Sequence, residues 1–170
     1  MRRTDMTSMH SIETSGPAGT HRAGELLAGL VRPGDVIALG GGLGAGKTAL
    51  VQGLAAGMGV VGHVPSPTFN LLLVHRADVP LYHFDLYRLE TASQLVDIDF
   101  YETLEAGGVS AIEWADRFPE QLPDDRLDVT IEVTGEESRR LDVEGTGPRS
   151  RDLARSWSDA WRDAGGGEGR

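Results

Sequence analysis

The sequence predicts a single α/β domain that includes antiparallel hairpins. Two observations lead to this prediction. A strand pattern at 35–39, apolar from residue 36 onward, is followed by a glycine-rich turn and then by a helix pattern at 49–56, which is the order strand, turn, helix. A second apolar run, at 109–112, lies between two segments that each predict a hairpin. A length of 170 residues suits one such domain with a full core.

The N-terminal part predicts a tail, a strand and a helix in that order. Residues 1–9 are predicted to be a disordered tail, and 10–14 a short edge strand. The turn at 16–20 then opens a helix, because apolar residues recur at helical spacing after it. The Arg-Pro-Gly segment at 32–34 would end that helix, since proline cannot donate a helical hydrogen bond. The apolar face consists of Ala23, Leu26, Leu27, Leu30 and Val31.

The middle of the chain predicts a hairpin and then a helical segment. Residues 69–75 and 80–85 both have strand patterns, and the segment 76–78 between them is suited to a turn. Residues 90–104 are predicted to be helical, with a break near 97–99.

A second hairpin follows the strand at 109–112. Residues 126–133 and 139–143 are predicted to pair around Gly135. With this hairpin as its last part, the folded domain is predicted to span 10–148.

The last segment, 149–170, is predicted to be a flexible C-terminal tail that contains one short amphipathic helix. Trp157 and Trp161 lie four residues apart and would therefore share one face of that helix. We expect this face to pack back on the domain.

The glycine-rich turn fits the phosphate-binding P-loop motif, because residues 41–48 match G-x-x-x-x-G-K-[ST]. Glycines allow the backbone to curl, so that successive N–H groups point at phosphate oxygens. Lys47 brings a positive charge to the β- and γ-phosphates, and the Thr48 hydroxyl is placed to ligate Mg²⁺. The motif therefore predicts the P-loop NTPase fold. The predicted nucleotide cradle consists of Leu43, Gly44, Ala45, Gly46, Lys47 and Thr48.

The basic residues of the chain support this interpretation. Lys47 is the only lysine, and the other fifteen of the sixteen basic residues are arginines. An ammonium group is a compact point charge, whereas a guanidinium is a planar fork. A sequence that uses arginine elsewhere thus keeps lysine where a point charge suits phosphate.

Two acidic residues at strand ends are candidates for the chemistry that a P-loop site also requires. Asp85 ends the predicted strand 80–85, and Glu113 follows the strand at 109–112. An acid in such a position holds Mg²⁺ or activates water in P-loop enzymes. Acids at strand ends also cap the next element, so both roles remain open at this point. Thr68 is a further candidate, as a hydroxyl for Mg²⁺ or the γ-phosphate, or as a plain turn residue.

Composition limits the class of protein. There is no cysteine, which excludes disulfides, thiolate zinc sites and cysteine nucleophiles. No apolar run is long enough to span a bilayer, so we expect a cytoplasmic protein without membrane contact. A net charge of −10 predicts that direct binding to nucleic acid is weak or absent.

Four short motifs occur in an order and spacing that resemble the TsaE family. They are Leu-Gly-Ala-Gly-Lys-Thr at 43–48, Ser-Pro-Thr-Phe at 66–69, Tyr-His-Phe-Asp-Leu-Tyr-Arg-Leu at 82–89 and Ile-Glu-Trp at 112–114. The resemblance covers residues 12–147, and the third and fourth motifs are its distinctive part. The family consists of bacterial P-loop ATPases of tRNA threonylcarbamoyladenosine biosynthesis.

The resemblance implies a small α/β domain with a mainly parallel core sheet and antiparallel additions. It also implies binding of ATP and Mg²⁺, and association with the proteins TsaD and TsaB, which modify the adenosine beside the tRNA anticodon. By matched position, Lys47 and Thr48 would hold phosphate and Mg²⁺, and Asp85 would support catalysis. Glu113 would ligate the metal or polarise water, and Trp114 would lie close to the nucleotide. The family pattern also implies that the turn at 16–20 lies near the adenine.

Other classes of nucleotide-binding protein fit less well. A GTPase reads guanine with Asn-Lys-x-Asp, which this chain cannot contain, since Asn70 and Lys47 are its only asparagine and lysine. A small-molecule P-loop kinase is the alternative, but it would need a lid with clustered arginines. The one adjacent arginine pair in the domain, at 139–140, is more typical of a hairpin edge. A nucleotide-gated binding protein with negligible hydrolysis also fits the sequence.

Overall fold

The computed structural model describes residues 9–62, 64 and 71–166. In these residues a seven-stranded mixed sheet has the strand order β1-β7-β6-β2-β5-β4-β3. The strands are β1 His10–Ser15, β2 Val36–Gly40, β3 Leu72–His75, β4 Leu81–Asp85, β5 Val109–Glu113, β6 Leu127–Val133 and β7 Ser138–Gly145. The helices are α1 Gly16–Ala28, α2 Lys47–Gly57, α3 Gln94–Asp97, α4 Phe100–Leu104 and α5 Pro148–Asp163.

The centre of the sheet is parallel, as the family resemblance implies. β6, β2, β5 and β4 are neighbours and run in the same direction. The antiparallel strands lie outside them, with β7 and β1 on one side and β3 on the other. The edge position of β1 and both predicted hairpins are confirmed.

Residues of β2 alternate between two hydrophobic clusters on opposite faces of the sheet. Ile37 and Leu39 belong to the cluster beneath α1, α2 and α5, whereas Val36 and Ala38 belong to the cluster beneath α3 and α4. Because both faces are covered, the strand is apolar throughout instead of alternating with polar residues. This burial explains why the run at 35–39 is so clear in the sequence.

Helices α1 and α2 pack closely at two glycines. A Cβ atom added to Gly53 would lie 1.9 Å from the His21 carbonyl oxygen, and one added to Gly24 would lie 2.2 Å from the Leu50 carbonyl oxygen. No side chain fits at either position, so the backbones of α1 and α2 are in direct contact there. This contact fixes α2, and with it the loop that precedes α2.

The helical segment predicted at 90–104 is shorter and divided. It forms α3 and α4, and the break at Ile98 and Asp99 agrees with the predicted position. Asp99 adopts a left-handed conformation with φ of 53°, which ends the helical hydrogen-bond pattern.

The C-terminal helix differs from the short helix in a flexible tail that the sequence predicts. It begins at Pro148 and has 16 residues, so helical structure crosses the predicted domain boundary at 148. Trp157 is fully buried and its indole N–H donates to the Ala23 carbonyl at 2.9 Å. Trp161 is also buried, so the predicted packing of the tryptophan pair is confirmed.

Four predictions fall wholly or partly outside the described residues. They are the disordered tail at 1–9, of which only residue 9 is described, the hydroxyl role of Thr68, the start of the strand predicted at 69–75, and the last four residues of the tail predicted at 149–170. Within the described part of that strand, β3 begins at Leu72.

Candidate functional site

The loop between β2 and α2 curls at glycines. Gly44 and Gly46 have φ values of 73° and 117°, which favour glycine over residues with a side chain. A Cβ atom on Gly41 would lie 2.6 Å from the Ile131 carbonyl oxygen, so the loop is pressed against the neighbouring strand. The predicted loop therefore needs glycine for both conformation and space.

Lys47 lies inside this curl. Its Nζ donates to the carbonyl oxygens of Gly41 at 2.6 Å and of Gly42 at 2.9 Å. The same atom lies 4.1 Å from the centre of the Trp114 ring, within cation–π distance. Burial lowers the pKa of Lys47, while the negative charges of Glu113 and Asp85 oppose that change. The positive charge of Lys47 thus lies at the N-terminus of α2, near the carboxylates of Glu113 and Asp85.

The two carboxylates come from neighbouring parallel strands. Asp85 and Glu113 are paired in register at the carboxyl ends of β4 and β5. Both are buried, at 8% and 4% exposed respectively. Burial raises the pKa of Asp85 and outweighs the hydrogen bond from the Tyr87 backbone N–H, which lowers it. Parallel strands place their carboxyl ends together, so the two acids meet the loop that follows β2.

These groups line one cleft of about 300 Å³. Its walls include the glycine loop on one side and the two strand-end acids on the other. The lining residues are Leu43, Gly44, Ala45, Gly46, Lys47, Thr48, Asp85, Tyr87, Glu113 and Trp114. The structure therefore brings together every residue that the sequence nominates for the site among those it describes.

Trp114 occupies a strained position at the edge of the cleft. It follows Glu113 with φ of 58°, a left-handed conformation that is rare for a bulky residue. Its ring packs on that of Tyr87, with 4.9 Å between ring centres. The turn directs an aromatic face at the lysine instead of continuing β5.

Sequence reasoning missed two side chains that contact this site. His83 is fully buried, and its Nε2 lies 2.5 Å from Oε2 of Glu113. The contact of His83 with the site could have been predicted from the sequence, because His83 is two residues before Asp85 and therefore lies on the same face of β4. Arg139 donates from Nε to the Ala45 carbonyl oxygen at 3.0 Å, across 94 positions of sequence, and no local pattern predicts that contact.

A second cleft, of about 460 Å³, is lined by residues of β1, α1, β7 and α5. Thr14, Ser15 and Gly19 line it together with Arg139 from β7. The start of α1, at 16–20, also reaches the loop itself, since a Cβ atom on Gly46 would lie 3.6 Å from the Thr20 methyl group. Arg139 lines the second cleft and donates to the Ala45 carbonyl oxygen, so this cleft adjoins the loop.

The sheet order and the motif-bearing loop between β2 and α2 define a protein of the P-loop NTPase fold class. A family model described as threonylcarbamoyl adenosine biosynthesis protein TsaE matches residues 14–141. The chain belongs to the TsaE family.

Curated relatives and a solved structure are similar over most of their length. The TsaE protein of Bacillus subtilis strain 168 is 39% identical over 137 residues, which are 80% of this chain and 85% of the relative. The TsaE protein of Streptomyces coelicolor is 41% identical, over 74% of this chain and 90% of the relative. A crystal structure of YdiB from Bacillus subtilis superposes with a TM-score of 0.77 at 32% identity, covering 92% of this chain and 98% of YdiB.

Within the residues that the structure describes, no helix combines the length and the apolar character needed to cross a membrane.

Proposed function

We propose that this protein is a Mg²⁺-dependent ATPase that supports threonylcarbamoylation of the adenosine beside the anticodon in tRNA, acting with TsaD and TsaB. The observation that carries the proposal is the cleft that joins Lys47 and Thr48 to Asp85 and Glu113, in a chain of the TsaE family. The curated relatives are named tRNA threonylcarbamoyladenosine biosynthesis proteins. Each residue of the cleft has a chemical role that fits ATP.

The phosphates would lie against the glycine loop. The N-terminus of α2 turns the positive end of the helix dipole to the cleft, which favours an anion. Lys47 uses two hydrogen bonds to hold the loop carbonyls of Gly41 and Gly42, and its ammonium has a further hydrogen to donate to a phosphate oxygen. These features support binding of ATP before hydrolysis and of ADP after it.

The oxygen-bearing side chains suit Mg²⁺, which prefers hard oxygen ligands. The Thr48 hydroxyl and the Glu113 carboxylate both line the cleft and would hold the ion. When bound, Mg²⁺ would neutralise part of the charge on the phosphate oxygens. Glu113 would also polarise the attacking water, and Asp85 would support it from the adjacent strand.

The adenine would lie in the second cleft. This cleft is lined by Ser15 and Gly19, at the start of α1, where the family pattern implies the base. Arg139, which also lines it, contacts the Ala45 carbonyl oxygen of the glycine loop, so the cleft adjoins the proposed phosphate site. The tRNA would be reached through the partner proteins, since the chain has a net charge of −10.

We predict that the isolated protein hydrolyses ATP slowly and that TsaD and TsaB stimulate it. Arg139 beside the loop donates to the Ala45 carbonyl oxygen, and Arg117, which follows the strand that ends at Glu113, donates to the Leu89 carbonyl oxygen. A partner could therefore supply the charge that stabilises the transferring phosphate, and we expect stimulation of about tenfold or more. The measurement is steady-state ATP hydrolysis with the partner complex absent and present.

Salt provides the control for this prediction. An acidic chain would bind a basic partner face, so raising the salt concentration should weaken complex formation and reduce stimulation. Two results would contradict stimulation by the partners through this basic face. One is a stimulation of ATP hydrolysis that does not change with salt, and the other is an isolated protein that already hydrolyses ATP as fast as the complex. A phosphorylated small molecule among the products would instead indicate a kinase.

The partner assignment itself is tested by co-purification. Tagged protein should retain TsaD and TsaB in an ATP-dependent manner, and Lys47→Ala should retain less of both. Retention without any effect of ATP would contradict a nucleotide-dependent complex.

A further inference from the structure

We propose that His83 is a positioning residue that orients the Glu113 carboxylate, an inference that rests on the proposed ATPase function. The side chain of His83 has no solvent exposure, and that of Glu113 is 5% exposed. The imidazole Nε2 lies 2.5 Å from Oε2 of Glu113. An ionised carboxylate accepts hydrogen bonds and has none to donate, so Nε2 carries the hydrogen in this pair.

The sheet register explains why these two side chains meet. Asp85 is directly opposite Glu113, and Ala111 is directly opposite His83. Residues two apart on a strand share a face, so all four side chains project from the same face of the sheet. The small side chain of Ala111 leaves room for the imidazole to reach diagonally to Glu113.

The hydrogen bond fixes which carboxylate oxygen meets the cleft. With Oε2 of Glu113 engaged by His83, Oε1 is left for water or a metal ion. A carboxylate that is free to rotate would present either oxygen in many orientations, whereas a held one is ready before the nucleotide arrives. A hydrogen bond from a neighbouring side chain is a general way to fix the orientation of a metal-binding or catalytic group.

The other ring nitrogen of His83 makes no competing hydrogen bond among the described residues. Its Nδ1 is buried and has no hydrogen-bond partner there. Within the described part of the chain, the hydrogen bonding of His83 is thus directed to Glu113.

A neighbouring histidine provides a matched control. His75 on β3 lies beside His83, with 6.2 Å between the ring centres. Its Nε2 is also buried and has no hydrogen-bond partner among the residues described. A change at His75 therefore alters packing around His83 without removing the donor to Glu113.

The test compares kcat and KM for ATP in the presence of the partner complex. We expect His83→Leu to lower kcat by about 10- to 100-fold and to change KM by less than about threefold, because the glycine loop is untouched. His83→Gln keeps an amide N–H at a similar reach and should recover about tenfold of the loss. His75→Leu and His75→Gln should both turn over within about twofold of the parent.

A double variant separates positioning from a merely structural role. If His83 acts through Glu113, adding His83→Leu to Glu113→Ala should cause no further loss of kcat, whereas independent effects would multiply. A second measurement needs no activity. Long-range ¹H–¹⁵N spectra of the free protein should show His83 protonated at Nε2. The His83 signal is assigned as the one that is missing from the spectrum of His83→Gln. Glu113→Ala should shift that signal.

The outcomes distinguish this inference from the function on which it rests. A parent that does not hydrolyse ATP overturns both. Three outcomes would overturn positioning alone while the parent hydrolyses ATP. They are a kcat of His83→Leu equal to that of the parent, a kcat of His83→Gln as low as that of His83→Leu, and losses of kcat that multiply in the double variant. If His83→Leu does not fold, a spectrum of the parent with the hydrogen on Nδ1 would overturn it equally.

Discussion

Replacement of Lys47 by alanine is expected to abolish ATP binding while the domain stays folded. The variant removes the ammonium from the curl of the loop, together with its hydrogen bonds to Gly41 and Gly42. A hydrogen bond to a charged group contributes about 1.5–3 kcal/mol, and Lys47 would make such contacts to phosphate, so we expect affinity to fall by about 100-fold or more. Isothermal titration calorimetry with ATP measures the change.

Arg155→Ala is a matched control for the loss of one positive charge. Arg155 is exposed on α5 and pairs with Asp152, away from the cleft. It should bind ATP like the parent, and both variants should keep the circular dichroism and melting behaviour of a folded protein. A folded Lys47→Ala protein with unchanged affinity would show that the loop is not the nucleotide site.

Replacement of Asp85 or Glu113 by alanine is expected to abolish turnover and to preserve binding. Both acids lie at strand ends beyond the loop that would hold the phosphates, so ATP affinity should remain measurable. A group that acts as a general base or polarises water accounts for about 10²–10⁴ in rate. Single-turnover hydrolysis with the partner complex present is the measurement.

An acid outside the proposed chemistry controls for charge. Asp116 is exposed, and its negative charge acts on Lys47. Asp116→Ala should therefore hydrolyse ATP at close to the parental rate. If Asp85→Ala and Glu113→Ala both hydrolyse ATP like the parent, the assignment of these acids is wrong.

Much of the site could be predicted because its parts are local in sequence. The loop at 41–48 is a continuous motif, and its glycines are dictated by backbone conformation. Asp85 and Glu113 each follow an apolar strand, and parallel strands bring such ends to one edge of the sheet. The loop motif and the apolar strand patterns therefore indicated most of the residues that meet in the cleft, and the family resemblance added Trp114 and the parallel core of the sheet.

The remaining contacts depend on how distant segments are aligned. The bond from His83 to Glu113 exists only because β4 and β5 pair with Asp85 opposite Glu113. A shift of the register by one residue would turn one strand's side chains to the other face. The length of α5 was also underestimated, since its surface is strongly charged and the burial of Trp157 beneath Ala23 comes from tertiary packing.

The proposed function is tested most directly by the threonylcarbamoyladenosine content of tRNA when the protein is depleted from its own cells. Nucleoside mass spectrometry should show that the modified adenosine falls on depletion, is restored by the parent protein, and is not restored by Lys47→Ala. Modification that stays at its normal level after depletion, or that Lys47→Ala restores in full, would contradict a role for this nucleotide site in tRNA modification.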